Sequence, residues 1–296
     1  MNNYCLRIPS NQKCRENWGH LIRDLCYYIV YHFDFTKEEF DLYILHQGRN
    51  FAPGFKEFVL RAFGSRVQFV DNEAAVPKNA ITSSTDWRRE VRKLPDHNFP
   101  ERILNLYANW PDFSVNKFRD LCLKNFKIDT EIKNKILLVP RRAESKRLLY
   151  DYKKIANEIQ STFKNYELKV WYNEDHTPEE QMQAWAESKI IICLCGTDMV
   201  NATWCHNYAQ RIIEIISPNH YSGHAPQFYC QNIISAALYG FRCPEAKQAK
   251  SSYKIASSRS PRDWHFIYAK KESALGEVYL NEKDREDMLG LVREII

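Results

Sequence analysis

Between residues 135 and 217, apolar runs of strand length alternate with stretches of helical period, and this alternation narrows the possible folds more than any other feature of the chain. Ile136-Leu137-Leu138-Val139 is a short apolar run of strand type, stopped by Pro140. Leu148, Tyr152, Ile155, Ile159 and Phe163 follow at spacings of three and four, which predicts an amphipathic helix. Over 167–172, Leu168, Val170 and Tyr172 alternate with Glu167, Lys169 and Trp171 as a second strand. Thr177-Pro178-Glu179-Glu180 has an N-cap residue, a proline at the first helical position and a glutamate at the third, a capping box. The helix it starts carries Met182, Trp185 and Ala186 on one side. Residues 189–195 read as a buried strand, 201–210 as a helix and 211–216 as a fourth strand. Strands separated by helical crossovers pair in parallel, so this half is α/β.

The first half repeats the theme less regularly. Residues 26–33 and 41–46 read as strands, and a helix with Phe55, Phe58, Val59, Ala62 and Phe63 leads to another strand over 66–70. From 76 to 110 the chain turns polar, with Pro77, Pro95 and Pro100, and predicts loops and short helices. Residues 113–126 read as a helix, 127–135 as a linker, and 231–238 and 282–296 as C-terminal helices. No internal repeat or low-complexity tract interrupts the pattern. The expected architecture is two Rossmann-like domains, 1–130 and 131–296, facing across a cleft that is the default ligand site. The C-terminal helices are expected to pack back toward the first domain.

Composition excludes several classes. Hydrophobic residues make up 44% and charged residues 27% of the 296, a balance that supports a sizeable core. Lys+Arg 42 against Asp+Glu 37 leaves only +5, without the clustered excess of a dedicated nucleic-acid binder. The longest strongly apolar runs, 26–31 and 190–195, are far short of the roughly 18 residues a membrane span needs. Residues 1–18 lack the apolar centre of a signal peptide. Nine cysteines without a Cys-x-x-Cys pair point to reduced thiols in a cytosol. Cys193, Cys195, Cys205 and His206 could be read as a metal cluster, but two of them lie on an apolar strand, which favours packing.

Ligands of open α/β sheets sit beyond the carboxyl ends of the strands, so four turns carry the functional reading. After the first strand of the second half, Arg141, Arg142, Lys146 and Arg147 place four cations in eight residues at the start of a helix. Cations there oppose the helix dipole, which makes sense if an anion joins them, held by guanidinium forks and free N–H groups. The competing reading is a solvated basic turn. After the 189–195 strand, Gly196 lets a ligand approach the backbone, with Thr197, Asp198 and Asn201 following. Glu214 stands alone in the apolar Ile212–Ile216 run, either as an outward residue of an edge strand or as a buried acceptor for ribose hydroxyls. In the first half, His46 and Asp71 end their strands, where Asp71 is either a base or an ordinary turn residue.

These residues resemble glycosyltransferase family 61. The resemblance rests on Leu138-Val139-Pro140-Arg141-Arg142 with Lys146-Arg147-Leu148-Leu149, then Cys195-Gly196-Thr197-Asp198-Met199-Val200-Asn201, then Ile213-Glu214-Ile215-Ile216-Ser217-Pro218. It covers about residues 113–220, with an echo in Pro261-Arg262-Asp263-Trp264. The family loop has the form His-Gly-Ala-Gly-x-Thr-Asn; here Cys195, Thr197 and Asp198 replace the histidine, alanine and second glycine, while Gly196 and Asn201 remain.

The resemblance implies a GT-B fold and inverting transfer of a sugar to a glycan hydroxyl from a nucleotide sugar, commonly UDP-xylose, UDP-arabinose or UDP-N-acetylglucosamine, with xylose the sugar expected here. Arg141, Arg142 and Arg147 would clamp the diphosphate, assisted by Lys146. Gly196, Thr197 and Asp198 would line diphosphate and sugar, and Asn201 would hold the loop or touch the donor. Glu214 would contact ribose or sugar, and Tyr172 would stack on uracil. Asp71 would be the acceptor-side base, with Glu73 its neighbour and His46 behind. The chain has no Asp-x-Asp triplet to hold a cation against the diphosphate, so the expected chemistry is metal-free, with no cofactor and the UDP-sugar as co-substrate. The expected partners are the donor and a glycan or oligosaccharide, with no nucleic acid. The expected location is the cytoplasm, as for a viral or microbial member (host cytoplasm if viral). The alternative is a non-catalytic carbohydrate- or UDP-binding scaffold that kept the fold.

Overall fold

The computed structural model describes residues 2–8, 18–33, 39–46, 50–84, 112–142, 148–194, 196–206, 210–216, 252–255, 263–268, 271–272 and 277–296. The chain divides into two units, Met1–Lys127 and Ile128–Ile296. The predicted helix over 231–238 lies outside the described residues.

In the first unit, β1 (Asn2–Arg7), β2 (Phe40–Leu45), β3 (Val67–Val70) and β4 (Ile81–Ser84) form a parallel sheet in the order β3-β2-β1-β4. Parallel neighbours need a crossover of a dozen or more residues. Between β1 and β2 that crossover is a helical run over 18–32, here α1, made of an α-turn Trp18–His20, π-helical turns Leu21–Cys26 and an α-helix Tyr27–His32. The strand expected over 26–33 is therefore a helix. Its apolar run misleads because Cys26, Tyr27, Tyr28, Ile29 and Val30 are all buried, and a helix apolar all round shows no 3.6-residue period. Helix α2 (Phe55–Phe63) buries Phe58, Val59, Ala62 and Phe63 on one side, as the spacing predicts. Helix α3 (Asp112–Asn125) packs on both, with Phe118 5.8 Å from the Tyr27 ring and 5.7 Å from Phe63.

The second unit carries β5 (Lys133–Val139), β6 (Leu148–Leu149), α4 (Tyr152–Thr162), β7 (Glu167–Val170), α5 (Pro178–Glu187), β8 (Ser188–Leu194) and β9 (Arg211–Ile216). These are followed by β10 (Ser252–Ile255), β11 (Asp263–Tyr268), β12 (Lys271–Glu272), β13 (Glu277–Tyr279) and α6 (Glu282–Ile295). The main sheet has the order β10-β11-β9-β8-β5-β7, parallel except for β10. One face buries Ile136, Leu138, Ile190, Ile192, Ile213 and Ile215 against Ile155 and Ile159 of α4 and against Met288, Leu291 and Val292 of α6. Met288, Leu291 and Val292 of α6 thus belong to the core of the second unit. The other face, formed by the residues in between along each strand, packs on α5 and the segment after β8.

The capping box forms as predicted: the Glu180 N–H donates to Thr177 Oγ1 at 3.3 Å, and the Thr177 N–H donates to Glu180 Oε2 at 2.8 Å. Two helix boundaries differ from expectation. Leu148–Leu149 pairs with β13 before α4 begins. The helix expected over 201–210 is a 3₁₀ run, Thr197–Trp204, where the Met199 N–H donates to Gly196 O at 3.1 Å and Trp204 Nε1 to Asn201 Oδ1 at 2.8 Å. These i→i+3 bonds hold the tighter winding.

At the amino end of the sheet, buried Glu187 accepts from Lys133 Nζ at 2.6 Å and from the buried Lys135 Nζ. Burial pushes the Glu187 carboxyl up, but the hydrogen bonds and charges of Lys133 and Lys135 outweigh it and hold its pKa below the usual value. A carboxyl depressed on folding contributes stability above its unfolded pKa, about 4.3, and loses it as pH falls through the folded value. Glu187→Gln is expected to cost about 3 kcal/mol at pH 7, since it leaves the buried Lys135 only the more exposed Glu167, at 3.8 Å, as an anionic partner. It should also remove this group's part of the stability loss below about pH 4. Urea unfolding across pH 3–7 checks both, and equal stability at pH 7 would contradict the assignment.

Candidate functional site

In the second unit the first strand, β5, has its successors on both sides, β7 on one and β8 on the other. At such a reversal the connecting segments leave to opposite faces of the sheet, opening a crevice beyond the strand ends. The turns after β5 and β8 flank that point.

Arg141 follows β5 with φ +67, in the left-handed region that side chains rarely adopt. Gly196 follows β8 with φ +153, and a Cβ built there would lie 2.1 Å from Arg141 Nη1 and 2.8 Å from Cζ. The glycine is therefore required twice, by its backbone angle and by the guanidinium resting on it. Arg141 Nε lies 3.1 Å from Asp198 Oδ2, with 12% and 14% of the two side chains exposed. Three of the residues named from sequence, Arg141, Gly196 and Asp198, thus meet at one place.

Arg142 forms a second group with a different carboxylate. Its Nη2 contacts Asp175 Oδ1, in a short 3₁₀ turn Asn173–Asp175 after β7. The guanidinium carbon sits 5.6 Å from the centre of the Tyr172 ring. Burial first, then the hydrogen bond it makes with Tyr152, raise the Tyr172 pKa well above that of an ordinary phenol, so the ring stays neutral. The preceding residue, Trp171, stacks on His176 at 3.6 Å and donates from Nε1 to Asn173 Oδ1 at 2.8 Å.

Asn201 is fully buried, donating to Gln181 Oε1 at 3.0 Å and accepting from Trp204. These contacts tie the 3₁₀ run to α5. Glu214 is 2% exposed on β9, between β8 and β11 and opposite Cys193. The edge-strand reading is thereby excluded. Lys146, Arg147 and the side chain of Thr197 lie outside the described residues. Sequence reasoning missed Asp175, Gln181 and Gln210. Gln210 donates from Nε2 to the Trp185, Ala186 and Ser188 carbonyls at 2.9–3.0 Å and accepts from the His206 N–H at 2.8 Å. It thereby satisfies the open carbonyl end of α5. A glutamine in a polar loop carries no sequence signal of such a role.

In the first unit, His46 follows β2 and Asp71 follows β3, adjacent parallel strands. His46 Nε2 lies 2.7 Å from Asp71 Oδ1 and 2.9 Å from Lys56 Nζ. One ring nitrogen can serve only one of them: protonated it donates to Asp71, unprotonated it accepts from Lys56. The His46 side chain is 2% exposed and that of Asp71 is 69% exposed, so a buried imidazole backs an open carboxylate. Glu73, two residues on, is paired with Arg7 Nη1 at 2.7 Å.

Parallel sheets crossed by helices, with conformationally constrained residues at the switch point of the second, define a Rossmann-like α/β protein. The chain belongs to the Glycosyltransferase 61 family, whose family model matches residues 18–213, from the start of α1 into β9. Family membership supports glycosyltransferase activity, with a sugar donor and a glycan acceptor as partners. No curated protein matches the chain. Among the described residues, no helix is long and apolar enough to cross a membrane, and no three His, Cys, Asp or Glu residues cluster as a metal site.

Proposed function

We propose that the protein is an inverting, metal-independent glycosyltransferase that moves xylose from UDP-xylose to a glycan hydroxyl. The reading takes the chain as a GT-B enzyme with an acceptor domain over 1–130 and a donor domain over 131–296. The observation that carries it is the Arg141 guanidinium seated on Gly196 at the switch point. There it would meet the diphosphate, where negative charge grows as the sugar leaves. Arg142 and Tyr172 extend the site toward the nucleoside, with Arg147 and Lys146 adding charge from the same turn. Thr197, Asp198 and Glu214 complete the donor contacts in this reading, and Asn201 holds the loop. These cations supply the neutralisation that a divalent ion provides elsewhere. The acceptor oxygen bonds to the anomeric carbon from the face opposite the leaving UDP, and its proton passes to Asp71. His46 orients that carboxylate, and Glu73 stands beside it. The reading extends to a reducing, cytosolic compartment, in keeping with the burial of Cys5, Cys26, Cys122, Cys193 and Cys205 as small packed residues.

The test is UDP binding and transfer with a panel of UDP-sugars, with and without EDTA. Transfer is expected to be greatest with UDP-xylose and unaltered by EDTA. Arg142→Ala should weaken UDP binding by about 1.5–3 kcal/mol, as for a charged hydrogen bond. Unchanged affinity would remove Arg142 from the clamp. Tight UDP binding without turnover on any acceptor would favour a binding scaffold, and activity lost to EDTA would defeat the metal-free mechanism.

A further inference from the structure

The cation at the switch point already has an anion. Arg141 Nε lies 3.1 Å from Asp198 Oδ2, and both side chains are mostly buried. Arg141 arrives there from an unfavourable backbone angle, φ +67, and over a residue where any Cβ would collide with it. Strain on one turn and a missing side chain on the other thus deliver a single guanidinium to a single place. Arg142 repeats the arrangement in a more open setting, in contact with Asp175. A guanidinium kept mostly away from water needs an anionic partner, because an uncompensated charge there is unfavourable.

We propose that Asp198 is an internal counter-ion occupying the place of the donor diphosphate at Arg141, so that the nucleotide sugar binds by exchanging a carboxylate for phosphate. This rests on the proposed function, which puts the diphosphate at Arg141. The carboxylate keeps the guanidinium aimed while the site is empty, competes with the diphosphate for Arg141, and once displaced is left to contact the sugar of the bound donor. A carboxylate left in place would repel the incoming diphosphate, so donor binding must separate Asp198 from Arg141. Asp198 stands at the second position of the Thr197–Trp204 run, whose remainder is anchored through Asn201 to Gln181 and Trp204. The exchange therefore moves the first turn of that run and leaves the rest in place.

The experiment titrates UDP into the wild-type chain and Asp198→Asn by calorimetry at fixed ionic strength, with thermal melting of both proteins alongside. The substitution keeps the shape and removes the charge. The UDP dissociation constant is expected to fall about tenfold, the scale of one charged hydrogen bond. An equal or higher constant in the folded variant, with wild type binding UDP, overturns the counter-ion role and leaves the donor-site reading standing. No UDP binding by either protein overturns both. A second measurement does not depend on the variant folding. The Arg141 Nε–H resonance of the wild-type protein, assigned through Arg141→Lys, should shift at UDP saturation as its partner changes. A resonance unmoved at saturation overturns the exchange.

Discussion

Asp71→Asn is expected to reduce sugar transfer by roughly 10²–10⁴ while leaving UDP affinity within about twofold, the range for loss of a general base. Asparagine has the shape of aspartate and can still accept from His46 Nε2, now 2.7 Å from the carboxylate, so the local geometry should survive. What disappears is the capacity to take the acceptor's proton. Asp71 is the better candidate of the two nearby carboxylates because Glu73 is committed to Arg7 at 2.7 Å. Single-turnover transfer and UDP titration on the same preparation separate chemistry from binding. Wild-type turnover in Asp71→Asn would move the base to another residue.

Gly196→Ala should weaken UDP binding by about 10–100-fold through displacement of the Arg141 guanidinium, a charge-assisted contact. It should also lower stability by about 1–3 kcal/mol, since a non-glycine residue is strained at this backbone angle. The cause is local: the new methyl would fall 2.1 Å from Arg141 Nη1 on a backbone at φ +153. Gly290 supplies the control, because a Cβ there meets nothing within 4 Å, and alanine within a helix is favoured over glycine by up to about 1 kcal/mol. Urea unfolding and UDP titration of both variants check the pair. Equal UDP affinity in Gly196→Ala would show that Arg141 does not serve the donor from this position.

The second unit was legible where a single period ruled. Its strands are apolar on both faces because helices cover both, and Thr177 and Glu180 mark the start of α5 through chemistry confined to one turn. The first unit was less so. β1 sits at the centre of its sheet yet buries only Cys5 and Leu6 fully, so neither an apolar run nor a clean alternation announces it. The run over 26–33 fails for the opposite reason, being buried on every side. Among site residues, Arg141 and Gly196 were visible as a cation cluster and a small residue after strands. The pairing of those cations with carboxylates was not: Asp175 looks like any turn aspartate, and Asp198 reads as a residue lining the donor, not as the partner of Arg141.

By itself, the amino-acid sequence determined the kinds of element, their order in the second half and the residues standing at the strand ends, because hydrophobic period and capping are set within a few residues. Tertiary structure alone decided that β5 lies between β7 and β8. That order brings Arg141 onto Gly196 and against Asp198, and it arises from hydrogen bonding between strands distant in the chain, which no local pattern specifies.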